Sequence, residues 1–242
     1  MSEPTDPPAP FESGPPPPPP PGEPRAGHGG NAWERRDQLG FVEGLVSCIK
    51  SFVTKPGEAF SETRRTGDLA SPLLYAIIVA VVTALIGQLW AVLFGTSILA
   101  FLPADLQEAM PLWMVSQGAG LMVGFVVMPI LTLIWVFLWG AIMHVLLLLV
   151  GGLQSSEAGF DGTLRVVAYS STGNLAKLVP VIGDLISTFW MIVLAVIGLT
   201  RIHGTSEGKA VAVVLLPLVI CCVCVGAAVM MGVGAILSGL GN

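Results

Sequence analysis

Apolar positions along the chain fall into two patterns, a short stripe at helical spacing and several long uninterrupted runs. In the stripe, Val42, Leu45, Val46, Ile49, Phe52 and Val53 recur every three or four residues, with Glu43 and Lys50 off that face. The spacing predicts an amphipathic helix over 39–53, closed by Pro56 and followed by the charged stretch from Glu58 to Asp68. Such a helix either lies along a membrane surface ahead of the first span or docks its apolar face on the other helices.

A transmembrane helix needs about 20 predominantly apolar residues, and three runs meet this easily. The first opens at Ser71 and Pro72, which read as an N-cap and a first helical position, and continues to Leu99. The second extends from Leu112 to Val150 and has no charged residue apart from the titratable His144. Pro129 divides it too unevenly for two crossings, so one long, tilted or kinked helix is predicted over about 116–150. The third covers Ala210 to Leu240. Between the last two lie 166–180, which is short and holds SSTGN and Lys177, and 182–200, separated by the Pro180–Gly183 turn.

Charge placement decides whether the short segment crosses, because Lys and Arg of short loops favour the cytoplasmic side. Seven of the eleven basic residues precede the first span, which predicts a cytoplasmic N-terminus. Arg165, Arg201 and Lys209 share that side only if 166–180 is itself a crossing. The predicted fold is therefore an all-α integral membrane protein of five transmembrane helices, about 72–99, 116–150, 166–180, 182–200 and 210–238, with the C-terminus on the opposite side. Five spans do not divide into inverted halves, although a homo-oligomer restores symmetry.

Composition agrees: 53% of the 242 residues are hydrophobic and 11% charged, against about 45–50% and 25% in soluble domains. Residues 1–36 hold twelve of the nineteen prolines, including the run Pro15–Pro21, and are predicted to be a disordered, locally polyproline tail. Residues 37–70 form the juxtamembrane segment and 71–242 the membrane domain. The opening residues lack the basic and apolar regions of a signal peptide, so the first span is expected to direct insertion. Acids and bases are interleaved near the N-terminus, which leaves no basic face for nucleic acid.

Chemistry-bearing residues are few. Cys221 and Cys224 form a C-x-x-C pair with Cys222 between them, but inside an apolar run this reads as helix packing rather than a metal or redox site. His144, Tyr169, Lys177 and Asp184 are the candidate intramembrane polar sites. His144 is expected to bond to a neighbouring helix through Tyr169, Ser170 or Ser171, and Lys177 to snorkel towards Asp184. Gly120 and Gly124, with Ala228, Gly232, Gly234 and Ser238, permit close helix contact. No catalytic constellation, metal site or cofactor site is predicted.

The stretch from LLLLVGG (residues 146–152) through FDGTLRVVAYSSTGNLAKLVPVIGDLISTFWMIVLAVIGLTRIHGTSEGKAVAVVLL, with KPGEAFSETRRTGDLASPLLYAI upstream, resembles the Yip domain family, the Ypt-interacting membrane proteins. The likeness lies in the order of Pro56, Phe60, Pro72, Gly151–Gly152, Ala168–Tyr169, Pro180, Gly183, Gly198 and Lys209–Ala210. Gly173 and Asn174 stand where such sequences often carry a proline. The resemblance implies five transmembrane helices, a cytoplasmic N-terminus and, for eukaryotic members, contact with Rab-type GTPases in vesicle traffic. The functional expectation is a membrane-embedded interaction, scaffolding or membrane-organising protein with the lipid bilayer and a protein as partners. The alternative is a small transporter or channel.

Overall fold

A computed structural model describes residues 29–99, 123–154 and 156–240 as an assembly of helices. Three short helices come first, α1 (Arg36–Leu39), α2 (Phe41–Thr54) and α3 (Pro56–Glu62). The long α4 (Ala70–Leu99) follows, then a π-helical turn (Val123–Val127) leading into α5 (Met128–Leu149). Next come α6 (Gly159–Ser170), which tightens into a 3₁₀ segment (Ser171–Leu178), α7 (Gly183–His203) and α8 (Glu207–Leu240).

Four of these are long and apolar enough to cross a membrane, over Ala70–Phe94, Phe125–Leu149, Gly183–His203 and Glu207–Met231. The predicted start of the second span, and Gly120, lie outside the described residues. Pro129 sits two residues after the π turn, within a helix that is continuous from Val123. That π turn is the kind of irregularity that absorbs a bend in a long helix.

Local chemistry shifts several predicted boundaries. Pro56 ends α2 but also opens α3, and Phe60 of α3 is 1% exposed. The first span is capped not by Ser71 but by Asp68, whose carboxylate accepts the Ala70 amide at 3.0 Å and the Ser71 hydroxyl. Those bonds, the Ser71 hydroxyl foremost, hold the Asp68 carboxyl below its ordinary range. The tail boundary at about Arg36 is too late. Asn31, Trp33 and Glu34 are buried, with Trp33 at 0% exposure and its indole N–H donating to the Ser71 carbonyl at 2.7 Å. Residues 1–28, the greater part of the predicted tail, lie outside the described residues.

α6 forms the axis of the bundle, with every residue from Gly162 to Ser170 buried. The segment predicted over 166–180 therefore begins earlier and is helical from Gly159 to Leu178. Twelve α-helical and eight 3₁₀ residues reach roughly 34 Å. Its neighbours fix its direction. Arg165 meets the carbonyls of Gly67 and Asp68, just ahead of α4, while the Lys177 carbonyl accepts the Trp90 indole N–H at 3.1 Å, far along α4.

α7 runs back antiparallel, since Gly162 packs on Ile202 and His203, Gly198 on Val166, and Gly173 on Met191. α5 is antiparallel too, with Gly140 against Leu164 and Phe160. Each contact puts a glycine where a Cβ would come within 3 Å of a neighbouring atom. Lipid is as apolar as Leu, so close backbone approach rather than oil-from-water transfer holds such helices together. The beginnings of α4, α6 and α8 and the ends of α5 and α7 thus share one end of the bundle, here the near end, where Lys209 donates to the Gly151 carbonyl at 2.9 Å.

Candidate functional site

The near end carries two enclosed polar clusters, and α6 supplies the centre of both. In the first, the N-terminal segment enters the bundle and turns at Asn31–Glu34, because the Asn31 side chain accepts the Glu34 amide (3.1 Å) while Glu34 Oε2 accepts the Asn31 amide (3.1 Å). The reciprocal pair presents the Glu34 carboxylate to α6. Its Oε1 takes Arg165 Nη1 at 2.8 Å and the Tyr169 hydroxyl at 3.1 Å, and Oε2 takes the Arg64 amide at 3.0 Å. The side chains of the ion pair are 0% and 1% exposed. Arg165 Nη2 finishes on the carbonyls of Gly67 (2.8 Å) and Asp68 (2.9 Å).

Aromatic rings wall this pair off from solvent. Tyr169 stacks on Phe52 at 5.1 Å and 14°, and leans on Tyr75 at 5.1 Å. The Tyr75 hydroxyl in turn bonds the Thr172 hydroxyl at 2.7 Å. The desolvation of each charge in such a pair is offset only by good geometry and hydrogen bonding, and every polar side-chain atom of this pair except the buried Arg165 Nε has a partner.

The second cluster is a chain of four groups. His144 Nδ1 lies 2.9 Å from the Thr163 hydroxyl, that hydroxyl 3.0 Å from His203 Nε2, and His203 Nδ1 2.7 Å from the Ser156 hydroxyl. Thr163 has one proton to give and two imidazoles beside it, so one ring must donate to it if the other accepts. The arrangement ties α5, α6 and α7 together at one level.

His144 does bond to the helix that follows, but through Thr163 rather than Tyr169, Ser170 or Ser171. Because α6 starts at Gly159, its first turn lies level with His144, and Tyr169 points instead towards Glu34. Lys177 and Asp184 lie together at the far end, 3.3 Å apart, with side chains 42% and 83% exposed. Tyr169 is thus the one predicted site residue in the first cluster, His144 the one in the second, and Lys177 with Asp184 a third location. The structure does not converge all four.

Glu34, Trp33, Arg165, Thr163 and His203 were not singled out from the sequence. One signal was present, for Trp33 is a lone tryptophan between a Gly-rich stretch and an amphipathic helix, where nothing in a solvated tail calls for a large ring. The charge pattern puts Arg165 in a loop flanking the second span, but it is wholly buried.

Cys221, Cys222 and Cys224 are free and exposed on α8, so the predicted packing role is not met within the chain. Among the described residues, no group of three His, Cys, Asp or Glu side chains is placed to hold a metal ion. An open recess at the near end, between α3 and the α7–α8 corner, is lined by Gly57, Arg201, Thr205 and Glu207.

Long apolar helices with lipid-like outer faces, gathered around a polar, wholly buried axial helix, define a polytopic helical membrane protein. Residues 50–229 match the model of the Yip1 domain, and the chain belongs to that family. No curated protein matches the chain, and no solved structure does.

Proposed function

We propose that this Yip1-family membrane protein works as a membrane-embedded interaction, scaffolding or membrane-organising protein without catalysis, crossing the bilayer five times with its N-terminus and near end in the cytoplasm. The observation that carries the reading is that the polar groups of the two near-end clusters bond mainly to one another, with Arg165 Nε the one buried cluster atom left without a partner among the described residues. Glu34, Arg165, Tyr169, Thr163 and His203 bond within the fold, and a site built for chemistry would instead aim unpaired groups at a substrate position.

Five crossings are supported by the course of the α6–3₁₀ segment, which runs beside the first span from the level of Gly67 and Asp68 at Arg165 to that of Trp90 at Lys177. Its low hydropathy suits an axial helix, since its neighbours are protein rather than lipid. The near end also gathers Arg64, Arg165, Arg201 and Lys209, the last three beside Gly67, Gly57 of α3 and Gly151, in keeping with the positive-inside rule. A C-terminus across the membrane follows.

Crosslinking in native membranes followed by purification tests the function, and a specific protein partner should be enriched over an unrelated polytopic control. A Rab-type GTPase is the expected partner in a eukaryotic cell. No enrichment, together with solute flux through reconstituted vesicles, would replace this reading by the transporter alternative. Reporter fusions at Asn242 test the topology, and a cytoplasmic signal there would sink the five-crossing arrangement.

A further inference from the structure

The amphipathic stripe predicted as a single face is divided in two by the structure. Gly44, Cys48 and Phe52 are buried against the rest of the protein. Val42, Val46 and Val53 are 71%, 57% and 47% exposed, and Ile49, in line with them, is half-buried. Glu43, Lys50 and Thr54 are also exposed. At 100° per residue, the buried arc is centred roughly 130–140° from each of the other two, which lie roughly 90° apart around α2. A helix of this kind has one face for protein, one for an apolar medium and one for water.

The depth of α2 is fixed independently. Phe52 stacks on Tyr169, which packs on Tyr75, and Tyr75 lies five residues into α4 from Ala70, or roughly 7–8 Å along its axis. Interfacial helices sink their apolar face about 5–10 Å into the boundary between headgroups and acyl chains. At the same level Leu74 of α4 is 38% exposed, so the outward valines continue the apolar surface of the first span.

We propose that Val42, Val46, Ile49 and Val53 are seated in the headgroup–acyl boundary of the leaflet at the near end, with Glu43, Lys50 and Thr54 in water and Gly44, Cys48 and Phe52 on the bundle. The occupant of the apolar face is lipid. A second copy or a folded partner is the poorer fit, because three valines and an isoleucine on one short helix fall far below the about 800 Å² per partner of a stable protein interface. This assignment rests on the near end lying at one bilayer surface, and it adds which side chains enter the lipid.

Nitroxide labels at Val46→Cys, Val53→Cys and Lys50→Cys, in nanodiscs holding one copy of the full chain, test it directly. Cys221, Cys222 and Cys224 are replaced by Ala, while Cys48 stays, since burial both shields its thiol and pushes its pKa up. Relaxation by oxygen relative to a water-soluble nickel chelate should be several-fold greater at 46 and 53 than at 50. Equal chelate access at 46 and 50 would overturn the proposal by putting the stripe in water. Shielding of 46 and 53 from both reagents would overturn it in favour of a protein cover. Two labelled sites guard against one substitution disturbing the fold. The readout is independent of partner capture, so lipid contact and the interaction role can fail separately.

Discussion

At the near end of the bundle a carboxylate and a guanidinium are fully enclosed, while along α8 every described residue from Val219 to Met231 is exposed and apolar, small or sulfur-bearing. The two regions answer to different surroundings. Where helices meet, polar side chains have fixed partners whose loss leaves an orphan charge. Where α8 leaves the bundle, side chains face lipid, and one apolar residue serves as well as another. Position relative to the axis, more than residue type, should therefore govern sensitivity to substitution.

The ion pair gives the largest expected effect. Glu34→Ala strands Arg165 in a site with 0% side-chain exposure, and breaking a buried pair from one side costs about 3–5 kcal/mol. Thermal unfolding in a single detergent at fixed pH should show the deepest loss for this variant and for Arg165→Ala. Replacing both by Leu should cost less than either alone, because no charge is then left behind. If Glu34→Ala unfolds with the unaltered protein, the near end is not organised by this pair and the contrast with α8 fails.

Glycines sharpen the comparison. A Cβ at Gly173 would lie 2.9 Å from the Met191 amide nitrogen and 3.2 Å from its Cα, backbone atoms that cannot turn aside. Overpacking of this kind costs about 1–3 kcal/mol. Around Gly226 of α8 no heavy atom beyond the helix's own neighbouring backbone lies within 4 Å of the same position, and Gly226→Ala should be neutral or stabilising, by up to about 1 kcal/mol. Unfolding of the two alanine variants side by side checks this, and equal losses would show that α8 is packed as tightly as the axis.

Much of the fold was legible because lipid-facing helices announce themselves by length and hydropathy. Ala70–Leu99, Gly183–His203 and Glu207–Leu240 agree with the predicted spans to within a few residues. The axial helix was harder, since its buried residues include Thr163, Arg165 and Tyr169, and a segment shielded from lipid has no need of an apolar pattern. The polar clusters were least legible. Glu34 and Arg165 are 131 positions apart, and no local periodicity joins residues brought together only by the packing of four helices.

His144 and Lys177 give a smaller contrast. His144→Leu removes one interhelical bond, to Thr163, which should contribute about 0.6 kcal/mol and at most 1–2. The Lys177 side chain is 42% exposed beside an 83% exposed Asp184, and such exposed pairs contribute little. Lys177→Leu should therefore lower the unfolding temperature less than His144→Leu. The reverse order would mean that the far end, not the histidine chain, holds α7 to its neighbours.

The smallest effect belongs to the three cysteines of α8. Their spacing invites a metal or a disulfide, yet Cys221, Cys222 and Cys224 are all free and exposed, on a stretch where Val219, Ile220, Val223 and Val225 are exposed as well. Among the described residues, about two turns of exposed apolar side chains leave no converging ligand set and no neighbour to pack against. Cysteine there acts as a small apolar side chain against lipid, and alanine supplies the same character. The triple Cys→Ala variant should insert, unfold and crosslink to partners as the unaltered protein does, within about 0.5 kcal/mol in stability. Metal analysis provides the opposing test: stoichiometric metal that is present in the purified protein and lost in the triple variant would turn this lipid-facing segment into a site between copies of the chain.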